Sequence, residues 1–258
     1  MTLTFYKYQG TGNDFVIIDN RKGDIELSTQ QVKHLCDRRF GIGADGLMLL
    51  QELPGYDFEM VYYNADGRES TMCGNGGRCL TRFAYDIGMH QEKFRFLAVD
   101  GEHEATLGEQ GWIHLKMKDV EGVANHHGDF VLDTGSPHYI KPVEHVMDIN
   151  VFDEGRNIRY SKEFEKNGIN VNFVESYGDK IIVRTYERGV EDETYSCGTG
   201  VTASALVFAH NDNGFNRVEV KTKGGNLAVE FDKTGEQRFG NIWLCGPAVF
   251  VYKGIIHI

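Results

Sequence analysis

Apolar residues recur at helical spacing in two stretches of the chain. Leu80, Phe83, Ala84 and Ile87 fall at i, i+3, i+4 and i+7, and Gly88 stops the run. That spacing is the mark of an amphipathic helix with one face on a core. Over residues 201–209 nearly every position is apolar, and Asn211-Asp212-Asn213-Gly214 ends the stretch. A helix that is apolar all round is a buried one. Residues 31–39 also read as helical. Most of the remainder breaks into short runs rich in aromatic and β-branched residues, bounded by turn formers: 15–19, 47–50, 58–63, 94–99, 112–117, 180–186, 217–222, 227–231 and 242–244. These predict strands. Strands wrapped around a buried central helix, twice over, predict an α+β fold.

The duplication is visible in the residues. Cys73-Gly74-Asn75-Gly76 returns as Cys197-Gly198-Thr199-Gly200 at an offset of 124, close to half of the 258 residues. Thr11-Gly12-Asn13 is echoed by Thr134-Gly135-Ser136 at 123, and Asn64-Ala65-Asp66-Gly67 by Tyr186-Glu187-Arg188-Gly189 at 122. Three short echoes in one order and at nearly one offset predict two similar domains with a cleft between them.

Composition narrows the function. With 41% hydrophobic and 25% charged residues and only four prolines, the whole chain is expected to fold. Lysine and arginine number 27 against 38 acidic residues, a formal charge of −11. Such a surface repels phosphate backbones and anionic lipid, which argues against nucleic acid and membranes as partners. No apolar run approaches the roughly 18 residues of a membrane span, and the N-terminus lacks a basic region followed by an apolar one, so a cytoplasmic protein is expected. The five cysteines, 36, 73, 79, 197 and 245, are odd in number, form no C-x-x-C and have no nearby zinc-type histidine spacing. They suit a reducing compartment, with no metal and no disulfide framework.

The chemistry is expected at the two repeated cysteines. Each immediately precedes a helix, where unpaired backbone N–H groups and the positive end of the helix dipole favour an anion and lower a thiol pKa. The glycines at 74, 76, 77, 198 and 200 are read as leaving room for a ligand to approach those amides. Two such sites can hold a planar carbanion by its carboxylate while one sulfur removes the α-proton and the other returns a proton from the opposite face. Inversion then needs no pyridoxal phosphate. Cys36, Cys79 and Cys245 are read as inert small hydrophobes. A rival reading, one nucleophilic cysteine with His138 as its base, leaves the second C-G-x-G unexplained.

Gly41-Ile42-Gly43-Ala44-Asp45-Gly46 fits G-x-G-x-x-G, but a dinucleotide site needs a strand before that motif and a helix after it. Here the order is reversed, and the glycines are read as a tight turn near the cleft.

The chain resembles the diaminopimelate epimerase family. The resemblance runs nearly end to end through Gly10-Thr11-Gly12-Asn13-Asp14-Phe15, Gly41-Ile42-Gly43-Ala44-Asp45-Gly46, Asn64-Ala65-Asp66-Gly67, Met72-Cys73-Gly74-Asn75-Gly76-Gly77-Arg78, Gly135-Ser136-Pro137-His138, Asn170-Val171-Asn172-Phe173, Tyr186-Glu187-Arg188-Gly189 and Cys197-Gly198-Thr199-Gly200. It implies two pseudo-symmetric domains, each a β-barrel-like sheet around a central helix with the active site in the cleft between them. The N-terminal domain would be 1–117, with 249–258 returning to it, and the C-terminal domain 118–248.

It further implies a cofactor-independent enzyme that interconverts LL- and meso-2,6-diaminopimelate, in lysine and peptidoglycan precursor biosynthesis. Cys73 and Cys197 would be the catalytic pair, with His138 and Glu187 as polar neighbours. Backbone amides of Gly74, Asn75, Gly198 and Thr199 would hold the reacting carboxylate, with Asn13 near that end. Arg188, with Asn64 and Asn170, would bind the distal end, where an arginine can grip a carboxylate bidentately. Many family members carry Asn where this chain has Ser136 and Gln where it has Gly46. Within the same fold the alternatives are a racemase of another amino acid, such as histidine, and a non-catalytic amino-acid-binding protein. The family also suggests a homodimer.

Overall fold

The computed structural model describes residues 1–258, which form two compact units: Met1–Leu115 with Pro247–Ile258, and Lys116–Gly246. In the first, β1 (Thr2–Gly10) and β2 (Asn13–Asp19) make an antiparallel hairpin. It turns at Thr11-Gly12, where both residues take positive φ, 50° and 84°. Helix α1 (Thr29–Cys36) then crosses to β3 (Gly46–Gln51), which runs parallel to β2. β4 (Phe58–Asn64) is antiparallel to β3. Helix α2 (Gly74–Asp86) crosses to β5 (Lys93–Ala98), parallel to β4, and β6 (Gly101–Leu107) and β7 (Trp112–Lys116) follow antiparallel. The chain's last strand, Val249–His257, lies antiparallel on β1.

The second unit opens with short strands β8 (Val120–Glu121) and β9 (Ala124–His126). It then repeats the first unit's order. β10 (Asp129–Asp133) and β11 (Pro137–Pro142) form a hairpin, and helix α3 (Val151–Arg159) crosses to β12 (Asn170–Tyr177), parallel to β11. β13 (Lys180–Glu187) is antiparallel to β12 and carries the short β14 (Asp192–Thr194). Helix α4 (Gly198–Val207) crosses to β15 (Gly214–Thr222), parallel to β13, before antiparallel β16 (Gly225–Gly235) and β17 (Arg238–Pro247). The final strand of the chain is β18. Antiparallel, parallel, antiparallel, parallel, antiparallel: these five successive pairings agree between the units, and the second adds the short β14 on β13. The two-unit α+β fold inferred from the apolar pattern is the fold observed.

In each unit one helix packs across several strands of its sheet. Helix α2 packs on β1, β2, β3 and β6, and α4 on β10 to β13, β15 and β16. Leu80 and Phe83 of α2 and Val201, Ala203 and Ala205 of α4 are fully buried, each large side chain stabilising by about 1.5–3 kcal/mol. Close approach is what the helix glycines permit. A Cβ on Gly76 would meet Met48 Sδ at 3.3 Å, one on Gly77 Met72 Sδ at 3.1 Å, and one on Gly200 the carboxamide oxygen of Asn172 at 2.3 Å. At 76, 77 and 200 the space is therefore occupied by protein, which corrects the reading that these glycines clear a path for ligand.

Helix α1 is also shorter than its apolar pattern implies. A capping box, Ser28 with Gln31, starts it. It ends at Cys36 because the Asp37 carboxylate accepts the N–H groups of Arg39 and Phe40, at 2.7 and 2.8 Å, and turns the chain. No helix is long and apolar enough to cross a membrane.

Candidate active site

Cys73 and Cys197 are the N-caps of α2 and α4, in extended conformation, with no side-chain cap hydrogen bond. The helix ladders begin at Gly77 N–H to Cys73 C=O, 2.7 Å, and Val201 N–H to Cys197 C=O, 2.8 Å. The amides of Gly74 and Gly198 precede those bonds, at the positive end of each dipole. Cys73 is half-buried and Cys197 is 8% exposed. Cys36, Cys79 and Cys245 are buried, and burial pushes the thiols of Cys36 and Cys79 up to about 12; the Cys245 sulfur lies within 4.8 Å of ligand atoms of His114 and Glu230. Thiols raised in this way, those of Cys36 and Cys79, are poor nucleophiles near neutral pH.

Beside Cys73, its thiol donates to Asn13 Oδ1 at 3.6 Å, and the Asn75 carboxamide donates to the same oxygen at 3.2 Å. Asn13 Nδ2 donates to Asp45 Oδ2 at 2.7 Å. Asp45 belongs to an ionic cluster in which Arg38 bonds both Asp14 oxygens, at 2.6 and 3.0 Å, and Asp45 Oδ1 at 2.7 Å. The buried Lys7 ammonium pairs with Asp14 at 2.6 Å and donates to the carbonyl of Gly43. Although burial alone would raise it, Arg38 and Lys7 hold the Asp14 carboxyl down at about 2. This cluster accounts for the glycine-rich loop. Gly43 has φ +82°, and a Cβ there would strike Arg38 Cα at 2.8 Å; a Cβ on Gly41 would strike the His34 carbonyl. The loop folds tightly over the end of α1 to deliver Asp45, and it lies between a helix and a strand, the reverse of the dinucleotide-motif order.

Beside Cys197, polarity runs through His138. Its ring is fully buried, and burial, reinforced by Arg188, lowers its pKa to about 3, so it is neutral. Asn172 Nδ2 is fixed as a donor by the Tyr139 carbonyl, 3.2 Å away, and it also faces His138 Nδ1 at 3.1 Å. A neutral ring whose Nδ1 accepts carries its proton on Nε2. That N–H donates to Thr199 Oγ1 at 2.9 Å, and Thr199 Oγ1 lies 3.5 Å from Cys197 Sγ. Thr134 Oγ1 donates to the Thr199 carbonyl at 2.8 Å. His138 thus reaches Cys197 through a hydroxyl, and an imidazole poised to deprotonate a nucleophilic thiol directly is not what is seen.

A third group lies in the same unit. Asn170 Nδ2 donates to Ser136 Oγ at 2.9 Å and to the Pro137 carbonyl at 3.0 Å, while its Oδ1 accepts the Arg188 N–H at 2.9 Å. The Arg188 guanidinium donates to Ser136 Oγ at 3.3 Å and to the Asn167 carbonyl at 3.0 Å. Asn170 braces the arginine's loop. Ser136 Oγ accepts twice, which turns its own proton outward beside an exposed guanidinium. Glu187 ends β13 opposite Asp192, half-buried. Asn64 ends β4 opposite Gly46, exposed, and its carbonyl closes the turn to Gly67 N–H at 2.9 Å.

Sequence reasoning missed Asn172, Asp45 and Arg78 as parts of these networks. Asn172 shares a strand face with Asn170 two residues away, a period-2 signal that was available. Arg78, fully buried one turn into α2, donates to Asn75 Oδ1 at 3.0 Å; only the fold reveals that contact.

Comparison with known proteins follows the same residues. The family model described as diaminopimelate epimerase matches residues 5–122 and 130–251. The chain belongs to the diaminopimelate epimerase family. A diaminopimelate epimerase of Flavobacterium psychrophilum is 48% identical over 257 residues, covering 98% of this chain and all of that protein. One of Chlorobaculum tepidum is 44% identical, covering 96% and 98%. Among solved structures, a Bacillus anthracis protein of the PhzF phenazine biosynthesis family superposes with a TM-score of 0.75 at 16% identity over the full length of both chains. A hydroxyproline epimerase from Agrobacterium vitis superposes with a TM-score of 0.71 at 11% identity, covering 99% of this chain and 91% of that one. These likenesses show that the fold is shared between diaminopimelate epimerases and those families.

Proposed function

We propose that this member of the diaminopimelate epimerase family interconverts LL- and meso-2,6-diaminopimelate without a cofactor, using Cys73 and Cys197 as acid and base, and serves lysine and peptidoglycan precursor biosynthesis. One observation carries the reading: the same device, a cysteine capping the N-terminus of a sheet-packed helix, is built twice at equivalent points of two units with identical strand order. The units are taken as the two epimerase domains, 1–117 with 249–258, and 118–248.

In the reaction, one thiolate removes the α-proton and becomes a thiol. The opposite thiol gives its proton to the other face of the carbanion and becomes a thiolate. Proton count and charge are unchanged, and the carbon is inverted. Amides of Gly74, Asn75, Gly198 and Thr199 receive the reacting carboxylate, on which charge grows in the transition state. His138 and Glu187 tune the protonation of the sulfurs, and Asn13 orients the thiol of Cys73. At the distal end Arg188 and the outward hydroxyl of Ser136 grip the second carboxylate, Asn170 supports them, and Asn64 accepts from the ammonium. Ser136 thereby supplies the donor expected of a longer side chain.

The enzyme is taken to be cytoplasmic, where its thiols stay reduced, and homodimeric. The dimer is supported by β18, whose Val249, Phe250, Val251, Tyr252 and Ile255 are all more than 40% exposed, an apolar strand suited to a second copy. Light scattering would give one mass of two chains, reduced by Tyr252→Glu.

The deciding test is incubation with LL-diaminopimelate, histidine and glutamate in deuterated buffer without added cofactor, followed by chiral analysis. Deuterium at the α-carbon of diaminopimelate with loss of stereochemical purity is expected. Exchange confined to histidine would make it a racemase of another amino acid, and no exchange with any of them would leave only binding.

A further inference from the structure

We propose that Asp45, working against Arg78, is a positioning residue that locks the Asn13 carboxamide with its oxygen toward Cys73. The inference rests on Cys73 being one of the two reacting thiols and names what governs its proton.

Carboxamide orientation is normally ambiguous, since oxygen and nitrogen differ little in shape. Here both ends of the relay are charged groups that can play only one part. Arg78 can only donate, so at 3.0 Å it must face Asn75 Oδ1, which leaves Asn75 Nδ2 facing Asn13. The Asp45 carboxylate, paired with Arg38 at 2.7 Å, accepts, so at 2.7 Å it must face Asn13 Nδ2. The intervening contact, Asn75 Nδ2 to Asn13 Oδ1 at 3.2 Å, satisfies both conditions at once. The result is a chain of dipoles from guanidinium through two carboxamides to carboxylate, each bond polarising the next. At the Asn13 end it presents the lone pair of Oδ1 to the Cys73 sulfur, 3.6 Å away.

That contact has a definite chemical sense. A carbonyl oxygen accepts S–H and repels a thiolate, so it favours the protonated sulfur and fixes the direction in which the S–H points. The start of α2 acts the other way, toward thiolate. Cys73 is thereby held between two opposed influences, as an acid that must become a base on alternate turnovers requires. The charged groups around the relay include Lys7, Asp14 and Arg38, which with Asp45 form three ion pairs, Lys7–Asp14, Arg38–Asp14 and Arg38–Asp45; further along the packed elements Arg82 pairs with Asp86, which accepts from Tyr8. Cys79 is kept as a thiol by burial, and Asp100 accepts the Met72 N–H at 3.0 Å. The glycine-rich loop preceding β3 exists, on this view, to place Asp45 against Asn13, a use quite apart from nucleotides.

The test uses the full chain with Asp45→Ala, the isosteric Asp45→Asn and Asn13→Leu. Two quantities are measured: steady-state kinetics, and iodoacetamide labelling of the Cys73 and Cys197 peptides across pH by mass spectrometry. In Asp45→Ala only the Asn75 end still holds the Asn13 amide, so its NH2 can turn to the sulfur at the loss of that one hydrogen bond. Cys73 labelling near pH 7 should rise about tenfold, one pK unit, with Cys197 labelling unchanged, and kcat should fall about tenfold or more while KM moves by about threefold or less. Asn13→Leu should match it, and adding Asp45→Ala to Asn13→Leu should do little more. Asp45→Asn keeps the shape but sets an NH2 against either Asn13 or Arg38, and should lose kcat where a purely structural role would not. The proposal is overturned if Cys73 labelling and kcat stay at wild-type values in folded Asp45→Asn, or if both cysteine peptides shift together. Labelling needs no substrate, so absence of α-proton exchange in the wild type would sink the epimerase reading and leave this test standing.

Discussion

His138 Nε2 donates to the hydroxyl oxygen of Thr199 at 2.9 Å, and that oxygen lies 3.5 Å from the sulfur of Cys197. Because the imidazole proton already occupies one lone pair of the oxygen, the threonine's own proton is directed to the remaining neighbours, the sulfur among them. That hydroxyl can donate to a Cys197 thiolate, where Cys73 faces a carboxamide acceptor. Thr199→Val, nearly the same shape, removes that donor. A hydrogen bond to a charged group is worth about 1.5–3 kcal/mol, so kcat should fall roughly 10- to 100-fold, and Thr199→Ser should restore most of it. Equal kcat in the valine and wild-type enzymes would remove Thr199 from the proton path.

The same histidine makes stability depend on pH in a defined window. Folded His138 stays neutral to about pH 3, whereas in the unfolded chain it binds a proton near 6.5. Between those values the unfolded state takes up the extra proton. The stabilisation is therefore complete above 6.5 and is lost progressively as pH falls toward 3. At pH 5 the loss should be about 2 kcal/mol. Asp14, whose folded value is about 2 against an ordinary 3.8, acts only at lower pH. Urea unfolding at pH 7.5 and pH 5 should show His138→Gln less stable overall but declining about 2 kcal/mol less between the two. Parallel declines would mean the ring is not buried neutral.

The duplication was legible because a C-G-x-G must recur wherever a cysteine caps a helix pressed on a sheet, and the helix α2 was legible from Leu80, Phe83 and Ala84. Helix α3 was not. Its segment, Val151–Arg159, is polar with Gly155 inside it, and forms because Asn150 caps it and because Gly155 lets Tyr186 in, where a Cβ would come within 2.4 Å of the ring-bearing carbon. Packing decided there, against propensity. The candidate residues were legible as types, but their orientations were not. Nothing local tells that Asn13 faces Asp45, 32 residues on, or that Asn172 sets the tautomer of His138. Those contacts come from strand register and crossovers.

Register also explains Gly46. It begins β3 opposite Asn64, and a Cβ there would meet the Tyr62 ring at 2.5 Å and the Tyr63 carbonyl at 2.7 Å. A longer side chain at position 46 has no room in this chain while Tyr62 keeps its rotamer. Gly46→Ala should cost about 1–3 kcal/mol by overpacking. Adding Tyr62→Ala should cost less than the two single losses summed, because they share one space. Strict additivity in chemical denaturation would show that Tyr62 is not what excludes the side chain.

The two-thiol mechanism predicts the outcome of removing either sulfur. Cys73→Ala and Cys197→Ala should each abolish epimerisation, since a carbanion formed on one side has no proton to receive on the other. Near-normal turnover in either variant would end the mechanism.

Oxidation offers a test that needs no substrate. If both sulfurs serve one α-carbon, then with no amino acid bound they should come within reach of a disulfide, whose Cβ atoms lie about 3.5–4.5 Å apart. Mild oxidation should therefore join Cys73 to Cys197, with loss of activity and recovery on reduction. Cys36 and Cys79, buried and kept protonated, should remain thiols under the same treatment. Peptide mapping that found Cys73 and Cys197 oxidised separately, each to its own sulfenic or sulfinic acid, would place the sulfurs too far apart to share a carbon.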